Sequence, residues 1–568
     1  MNNKEELDIL RHSCAHLLAA AVKKLFSNAK LGIGPAIKNG FYYDFGLPRT
    51  LTNQDLSSIE KTMKDLVKQD LSFEKISIPI EKAKNQLKDQ PYKLELLKEL
   101  SDSTITLYKT GDFIDLCRGP HLKSTGEIKH FKLLSTAGAY WRGDSSKPML
   151  QRIYGTCWKT EKDLKKYLAQ IEEAKKQDHR RIGQLLNLYS FHHEAPGMVF
   201  WHPKGKIIYD RLINFARNKL KIFGYKEIAT PNILNINVWK TSGHWNHYKD
   251  AMYFVSGFNE KINFGLRPMG CPGAIILYKS STHSYKDLPI RYAEFDNITR
   301  KELSGTLQGL FRLQQFVQDD AHIFVKEDQI LTEIDSLLKL INEIYRVLGF
   351  HYKVYLSTRP TDYMGKLASW NKAEASLKDA LAKNKLDYEI KEAEGAFYGP
   401  KIDFDILDAL SRSWQCATIQ LDFQMPEKFN IEYIDKNGKA KRPVIIHRVI
   451  LGSIERFMGI LIEHYAGALP FWLAPVQLMI LPISEKHLNY AKEIAAGFED
   501  RDMRIEIDER NETVSKKIRD AELQKVPYIV VVGDKEIKDK SITVRARSSK
   551  KLKTFSVKSF IKRLDRDN

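Results

Sequence analysis

Residues 291–324 read RYAEFDNITRKELSGTLQGLFRLQQFVQDDAHIF. The stretch reads as two strands joined by a Gly/Ser loop. Arg300 and Arg312 stand at the two bases of that loop, Glu302 lies beside the first, and the second strand runs into a QDDAH cluster. A guanidinium offers phosphate oxygens a fixed two-donor fork and does not lose its charge. The layout therefore suits the α-phosphate of a nucleotide. In isolation it fits a surface hairpin with salt-bridged charges equally well, and the rest of the chain decides between the two.

The 568 residues predict three or four domains. Hydrophobic content of 43% and charged content of 28% give ample core for a globular protein. The 90 Lys+Arg against 71 Asp+Glu leave a formal charge of +19. Such a balance favours a polyanionic partner, nucleic acid foremost, although lysine scattered over the whole surface would give the same total. Five cysteines, Cys14, Cys117, Cys157, Cys271 and Cys416, are odd in number and far apart. They argue against a disulfide framework and for a reducing compartment. The N-terminus has no apolar signal core, and no run of 18 apolar residues occurs. The expectation is a cytoplasmic protein with no membrane partner.

Three units follow from the pattern. Residues 1–160 hold helices near 5–25 and 55–68 around a turn-rich segment, with strands near 113–115 and 129–134. The charge-dense segment 161–181 keeps Leu164, Leu168 and Ile171 in helical spacing and reads as one long connecting helix, 161–177 of it between domains. A second unit, 178–470, opens with a helix over 207–223 capped by Gly224, followed by the strand-like YKEIATP. In a third, 471–568, VQLMILPI, RIEID, PYIVVVGD and SITVRAR read as strands alternating with helices at 486–499 and 513–523, a compact α/β domain. Its last 28 residues carry nine Lys/Arg against two Asp.

Four constellations could carry chemistry. His12 and His16 sit four apart on one face of a helix, with Cys14 pointing away. Cys117 and His121 repeat that spacing in DLCRGPH. Together they could bind Zn²⁺ or form a polar hydrolytic pocket that uses water. Cys271, His322 and His447 are far apart in sequence, and each alone is more often a core residue. If they converge, three ligands leave one zinc position open, the arrangement of a working site. Arg456, in GSIERF between a strand and an apolar helix, could reach a triphosphate or simply pair with Glu455. His244, among polar and aromatic residues, has an ordinary pKa near 6.5 that suits proton transfer.

In order along nearly the whole chain, these motifs resemble the threonyl-tRNA synthetases, class II aminoacyl-tRNA synthetases. RHSCAHLLAAAVK, GFYYDF, DLCRGPH and FKLLSTAGAYWRGD look like the family's editing domain. TSGHWNHYKDAM, QDDAHIF, EGAFYGPKIDF, WQCATIQLDF and HRVILGSIERF look like its catalytic domain, and NETVSKKIRDAELQKVPYIVVVGDKE like its anticodon-binding domain. The resemblance implies an α+β multidomain fold: an antiparallel-sheet class II core, an α+β editing domain and a C-terminal α/β domain. By position it implies that Cys271, His322 and His447 ligate one Zn²⁺ per subunit. Arg300 and Glu302 belong to motif 2 and Arg456 to motif 3. Arg312, Gln415 and Thr418 line the ATP site with them, and Mg²⁺ accompanies ATP. Met269, Asp320, Tyr398, Gln420 and Ser453 surround threonine. Lys401 stands near the reacting phosphate and carboxylate, and His244 is linked to aminoacyl transfer. Asn511, Glu536 and Arg545 match anticodon-reading positions. His12, His16, Cys117 and His121 match the editing quartet, with Lys93 and Asp115 nearby.

The implied partners are threonine, ATP, tRNA(Thr) and a second copy of the chain, through residues 207–231. A zinc with an open position can take the amino and hydroxyl groups of threonine. Valine lacks the hydroxyl, and loss of a required polar contact can discriminate by about 10⁴ or more. Serine keeps it and lacks one methyl, worth only roughly 1–3 kcal/mol, which calls for a separate hydrolytic domain. The sequence departs from the family at four points. The usual small ubiquitin-like domain is expected to be missing, since Met1 opens almost directly on the editing motif. Gly270 and Ala274 replace the Asn and His of the N-C-P-G-H run. Lys301 replaces Asn in R-N-E, and Gln308 replaces His in L-H-G. The departures motivate an alternative: a catalytically altered paralogue acting as an RNA-binding protein, or an inhibitor-resistant duplicate.

Overall fold

A computed structural model describes residues 3–101, 103–144, 146–256, 262–409, 412–498, 501–549 and 551–564. Glu499 and the basic-tail residues Lys550 and Arg566 lie outside the described residues. The chain divides into two compact units, 1–173 and 174–568.

The first unit packs the helix Asn3–Leu25 on an antiparallel sheet made chiefly of Gly40–Gly46, Met149–Trp158 and His130–Tyr140. The sequence explains the close fit. The helix carries an Ala/Leu run from Ala15 to Val22 that is buried throughout, and small side chains let it approach the sheet. A second helix, Asn53–Lys68, starts at a Thr52/Asp55 capping box. A smaller antiparallel sheet joins Glu74–Pro79, Thr104–Thr110 and Phe113–Leu116.

The single connecting helix expected over 161–181 is two. Glu161–Lys176 ends, and Asp178 starts His179–Leu185 by accepting the Arg180 N–H at 2.8 Å. An N-cap aspartate competes with helix continuation, which is why leucine spacing alone misjudged the segment.

The second unit is built on a sheet of eight strands among the described residues. Their spatial order is Lys226–Glu227, Ile290–Thr299, Gln315–Val325, Val444–Ser453, Ser413–Asp422, Lys401–Leu407, His351–Ser357 and Tyr388–Lys391. All pairings are antiparallel except at the two edges. The two strands expected within 291–324 stand second and third in that order. YKEIATP contributes only Lys226–Glu227. The helices Pro203–Ile222, Ile330–Val347 and Ile454–His464 cover one face, where the largest apolar core lies. The first of them ends before Gly224, whose φ of +77° is the left-handed conformation expected of a C-terminal glycine.

A buried ion pair pins the sheet on that covered side. Arg448 Nη1 donates to Asp319 Oδ1 at 2.5 Å, and Asp319 Oδ2 accepts the N–H groups of Ile450 and Leu451. Tyr225 lies under the guanidinium, 4.8 Å from it.

In the C-terminal part, three parallel strands, Ile505–Ile507, Leu478–Pro482 and Tyr528–Val532, continue antiparallel into Ser541–Ala546 and Leu552–Ser556. The last strand and the helix Val557–Leu564 fall in the basic tail and were not anticipated. Phe560 and Leu564 anchor that helix in the core despite its three basic residues.

Arg448→Met leaves Asp319 buried without its cation and should destabilise the second unit by about 3–5 kcal/mol. The reading is a lower urea midpoint for that unit; an unchanged midpoint contradicts the pin.

Candidate active sites

Strand pairing assembles the central site. His322 pairs directly with His447, and His447 with Gln420 on the next strand. Residues two apart share a face, so Gln318, Asp320 and His322 point the same way. Cys271 begins the helix Cys271–Lys279. Donor atoms of Cys271, His322 and His447 lie within 4.8 Å of one another.

The donors fit a metal. His322 Nε2 and His447 Nδ1 are buried and lack a hydrogen-bond partner, which is rare for ring nitrogens in a protein interior. His447 Nε2 bonds Asp422 Oδ2 at 2.9 Å, the carboxylate–histidine arrangement that orients a ligating imidazole. Burial, then the carboxylates of Asp320, Asp422 and Asp296, push the Cys271 thiol well above its ordinary range. A divalent cation is the natural counterweight to so many acids.

Beside the triad opens a cavity of 460 Å³. Arg300, Glu302, Arg312, Gln415, Thr418 and Arg456 all line it, and so do Gln420 and Ser453. Arg300 Nε donates to Pro268 O at 3.1 Å, and its guanidinium lies 5.2 Å from the Phe316 ring centre. Arg312 Nε donates to Glu302 Oε2 at 3.0 Å. Arg456 does not pair with Glu455. That carboxylate instead accepts the Val317 N–H and the Ser453 hydroxyl, while Arg456 Nε has no partner.

Sequence reasoning passed over Asp403. It is fully buried and accepts from Lys401 at 2.8 Å, Gln415 at 2.7 Å, Ser357 at 2.7 Å and the Thr418 hydroxyl. One carboxylate thus orients three residues expected at the site. The clue was polar spacing of two, Lys401–Asp403–Asp405, within an apolar strand. Phe311, in the turn before the strand, and Phe316, on the strand, also line the cavity and were missed because aromatics usually signal core.

Of the residues expected around threonine, Tyr398 donates to Gln420 and packs 5.0 Å from the His447 ring. Asp320 Oδ2 lies 3.8 Å from His322 Nε2. Met269 Sδ is 3.2 Å from His244 Nε2. His244 does not keep its near-neutral pKa: full burial takes it down to about 3, and Ser242 occupies Nδ1 at 2.8 Å. It is a neutral imidazole at physiological pH.

Gly270 has a structural cause. A Cβ there would stand 1.5 Å from Asp296 Oδ2 and 3.1 Å from Asp320 Oδ2. Asp296 is buried, neither of its oxygens is hydrogen-bonded, and its nearest cation is Arg267 Nη1 at 3.3 Å. Burial and Asp320 raise its pKa to about 10. Asp296 therefore fills the space that a side chain at 270 would need.

In the first unit, His12 Nε2 lies 2.9 Å from Cys117 Sγ, and Cys117 Sγ lies 3.1 Å from His121 Nε2. The rings of His12 and His121 stack at 4.5 Å. The expected quartet is a trio plus one. His16 meets His121 only ring to ring, at 5.0 Å, and its donor atoms are not in the cluster. Burial lowers His16 to about 3 and raises Cys117 to about 11. Lys93 and Asp115 form a buried ion pair at 2.8 Å that acts electrostatically on His12 and Cys117, and Tyr43 also donates to Asp115.

At the C-terminus, Asn511 is exposed in the turn before the helix Val514–Leu523. Arg545 pairs with Glu522 on that helix at 2.6 Å. Glu536 accepts from Gly533 N and from Thr543 Oγ1, two residues from Arg545 on one strand. Among the described residues, no helix is long and apolar enough to cross a membrane.

Comparison with known proteins agrees with this layout. The tRNA synthetase class II core domain (G, H, P, S and T) matches residues 253–465, and an anticodon-binding domain matches 477–567. The core and its site therefore define a class II aminoacyl-tRNA synthetase. The threonyl and alanyl tRNA synthetase second additional domain matches 105–154. Threonine–tRNA ligases of Clostridium tetani and Thermotoga maritima are each 50% identical to the chain over 99% of its length and 88% of theirs. The chain belongs to the threonine–tRNA ligase family. Among solved structures, the RNA-binding domain of threonyl-tRNA synthetase from Cryptosporidium parvum superposes with a TM-score of 0.67 at 42% identity, covering 69% of this chain and 98% of that one. A threonyl-tRNA synthetase from Aeropyrum pernix gives 0.60 at 26%, covering 69% and 96%.

Gly270→Ala should raise the KM for threonine at least tenfold, because overpacking here costs roughly 1–3 kcal/mol and falls on the pocket itself. Gly270→Ala/Asp296→Gly should recover most of the loss. Two additive effects would show that the positions are not coupled.

Proposed function

We propose that the chain is an ATP-dependent threonine–tRNA ligase of the cytoplasm, with hydrolytic editing of Ser-tRNA(Thr). The observation that carries this reading is the 460 Å³ cavity. Its arginines and polar groups stand on the same sheet face as a Cys/His/His cluster with unpartnered ring nitrogens. The proposed domains are 1–160 for editing, 161–177 as connector, 178–470 for catalysis and 471–568 for the anticodon.

In the first step the threonine carboxylate attacks the α-phosphate of Mg²⁺-bound ATP and pyrophosphate leaves. Arg300 and Arg456 hold the phosphates and meet the charge that develops on them. Arg456 suits this role because its Nε is uncommitted and Glu455 is occupied elsewhere. Asp403 fixes Lys401, Gln415 and Thr418 before the nucleotide arrives, so little reorganisation remains at the moment of reaction. Asp320, Tyr398, Gln420, Met269 and Ser453 surround the amino acid. Cys271, His322 and His447 would hold one Zn²⁺, which supplies an open position for the hydroxyl and amino groups of threonine. In the second step the terminal ribose hydroxyl of tRNA(Thr) attacks the threonyl carbonyl and AMP leaves. His244, neutral and packed against Met269, lies beside that transfer as a hydrogen-bonding group rather than as a cation. Asn511, Glu536 and Arg545 contact the anticodon, Arg545 by exchanging Glu522 for RNA.

The N-terminal site works with water. His12, Cys117 and His121 already satisfy one another by hydrogen bonds, whereas the ring nitrogens at the central site are orphaned. That contrast favours a metal in the core and none in the editing site. The chain acts as a homodimer through 207–231, where Ile222 is 75% exposed and a cavity of 310 Å³ lies between Arg217, Tyr225 and Phe295.

Two variants separate the centres. Cys271→Ser should lose zinc and threonylation of tRNA(Thr) but still deacylate preformed Ser-tRNA(Thr). His12→Ala/Cys117→Ala should keep zinc and threonylation and lose deacylation. Full zinc in Cys271→Ser, or normal deacylation by the double variant, contradicts the respective assignment.

A further inference from the structure

His179 belongs to none of the sites above, yet it is 1% exposed and fully engaged. It opens the helix His179–Leu185, directly after the N-cap Asp178. The Leu310 N–H donates to His179 Nε2 at 3.0 Å. A backbone N–H can only donate, so Nε2 carries no proton and Nδ1 carries it. Nδ1 then donates to Glu463 Oε1 at 2.6 Å, and the His179 backbone N–H reaches the same oxygen at 3.0 Å. Glu463 Oε2 accepts from Arg412.

The contacts close into a ring. Arg412 lies 5.4 Å from the Trp414 ring centre, the tilted Trp414 ring lies 4.3 Å from Phe311, and Phe311 lies 4.1 Å from His179. Asp178, His179 and Glu463 have the donor types of a metal site. Their atoms are spent within the protein, however: Leu310 takes Nε2, Arg412 takes Glu463, and Arg180 takes Asp178 at 2.6 Å.

The turn that His179 grips, Gly309–Phe311, leads into the nucleotide cavity, which residues 310–313 line. Gly309 is shaped to that grip. Its φ is +51°, and a Cβ there would stand 2.4 Å from His179 Nε2.

We infer that His179 is a positioning residue of the nucleotide site, its Nε2 anchoring the turn that presents Phe311 and Arg312 to ATP. The inference rests on the ATP reading of the cavity. Without the acceptor, the Leu310 N–H is buried and unsatisfied, and the turn shifts to find another partner.

Two side chains split the two bonds of the imidazole. Asparagine can place an amide nitrogen where Nδ1 stands but offers nothing at Nε2. Glutamine can place its amide oxygen near Nε2. In threonine-dependent ATP–pyrophosphate exchange, His179→Asn should raise the KM for ATP about tenfold, the scale of one unsatisfied buried donor. The KM for threonine and the zinc content should not change, and His179→Gln should recover most of the loss. Gly309→Ala, which crowds Nε2 from the other side, should reproduce the ATP-specific defect and serves if His179→Asn does not fold. An unchanged KM for ATP in both His179→Asn and Gly309→Ala overturns the inference. So does equal impairment of His179→Asn and His179→Gln with matching falls in melting temperature. A wild-type chain without threonine-dependent exchange overturns the ATP reading, and this inference with it.

Discussion

The pairing of Gln315–Val325 with Val444–Ser453 is the constraint on which the central site depends. It sets His322 opposite His447 and leaves Gln318, Asp320 and His322 on one face. A slip of one residue would turn every one of these side chains to the other face. The buried Asp319–Arg448 pair occupies that other face and resists the slip, because a displaced strand would leave two buried charges unpaired. Polar chemistry on one side of the sheet and an ion pair locked into the apolar core on the other therefore specify the same register.

Carboxylates do most of the orienting. Asp403 holds three cavity residues, Glu455 holds the strand start at Val317 and leaves Arg456 free, Asp422 directs His447, and Glu463 directs His179. Each is buried, and each accepts bonds that fix a neighbour's rotamer or tautomer. Asp296 stands apart, with neither oxygen hydrogen-bonded. Its place over Gly270 gives one departure from the family pattern a packing cause.

Much of this was legible in the sequence where chemistry and periodicity coincide. The hairpin within 291–324, the helix Asn3–Leu25 and several residues that line the 460 Å³ cavity were read from guanidinium spacing, helical spacing and resemblance. The rest depended on contacts between distant segments. Leucine spacing carried the connecting helix through Asp178, although an aspartate in that position caps a new helix. The pKa of His244 could not be read from its neighbours in sequence, because Met269 and Phe397, from distant segments, pack on it together with the nearby Trp239. His16 shares a helix face with His12, yet ring packing against Phe73 and Phe113 keeps it out of the donor cluster. The C-terminal helix was hidden by its charge, since two apolar anchors suffice for a short amphipathic helix at a domain edge.

The central claim is that one face of the sheet couples a hydroxyl-selective amino-acid pocket to a nucleotide cavity. ATP–pyrophosphate exchange by the purified chain, measured with threonine, serine and valine in turn, tests it most directly. The account requires strong exchange with threonine, weaker but clear exchange with serine, and none above background with valine. Exchange with valine comparable to that with serine, or no exchange with threonine, would contradict it.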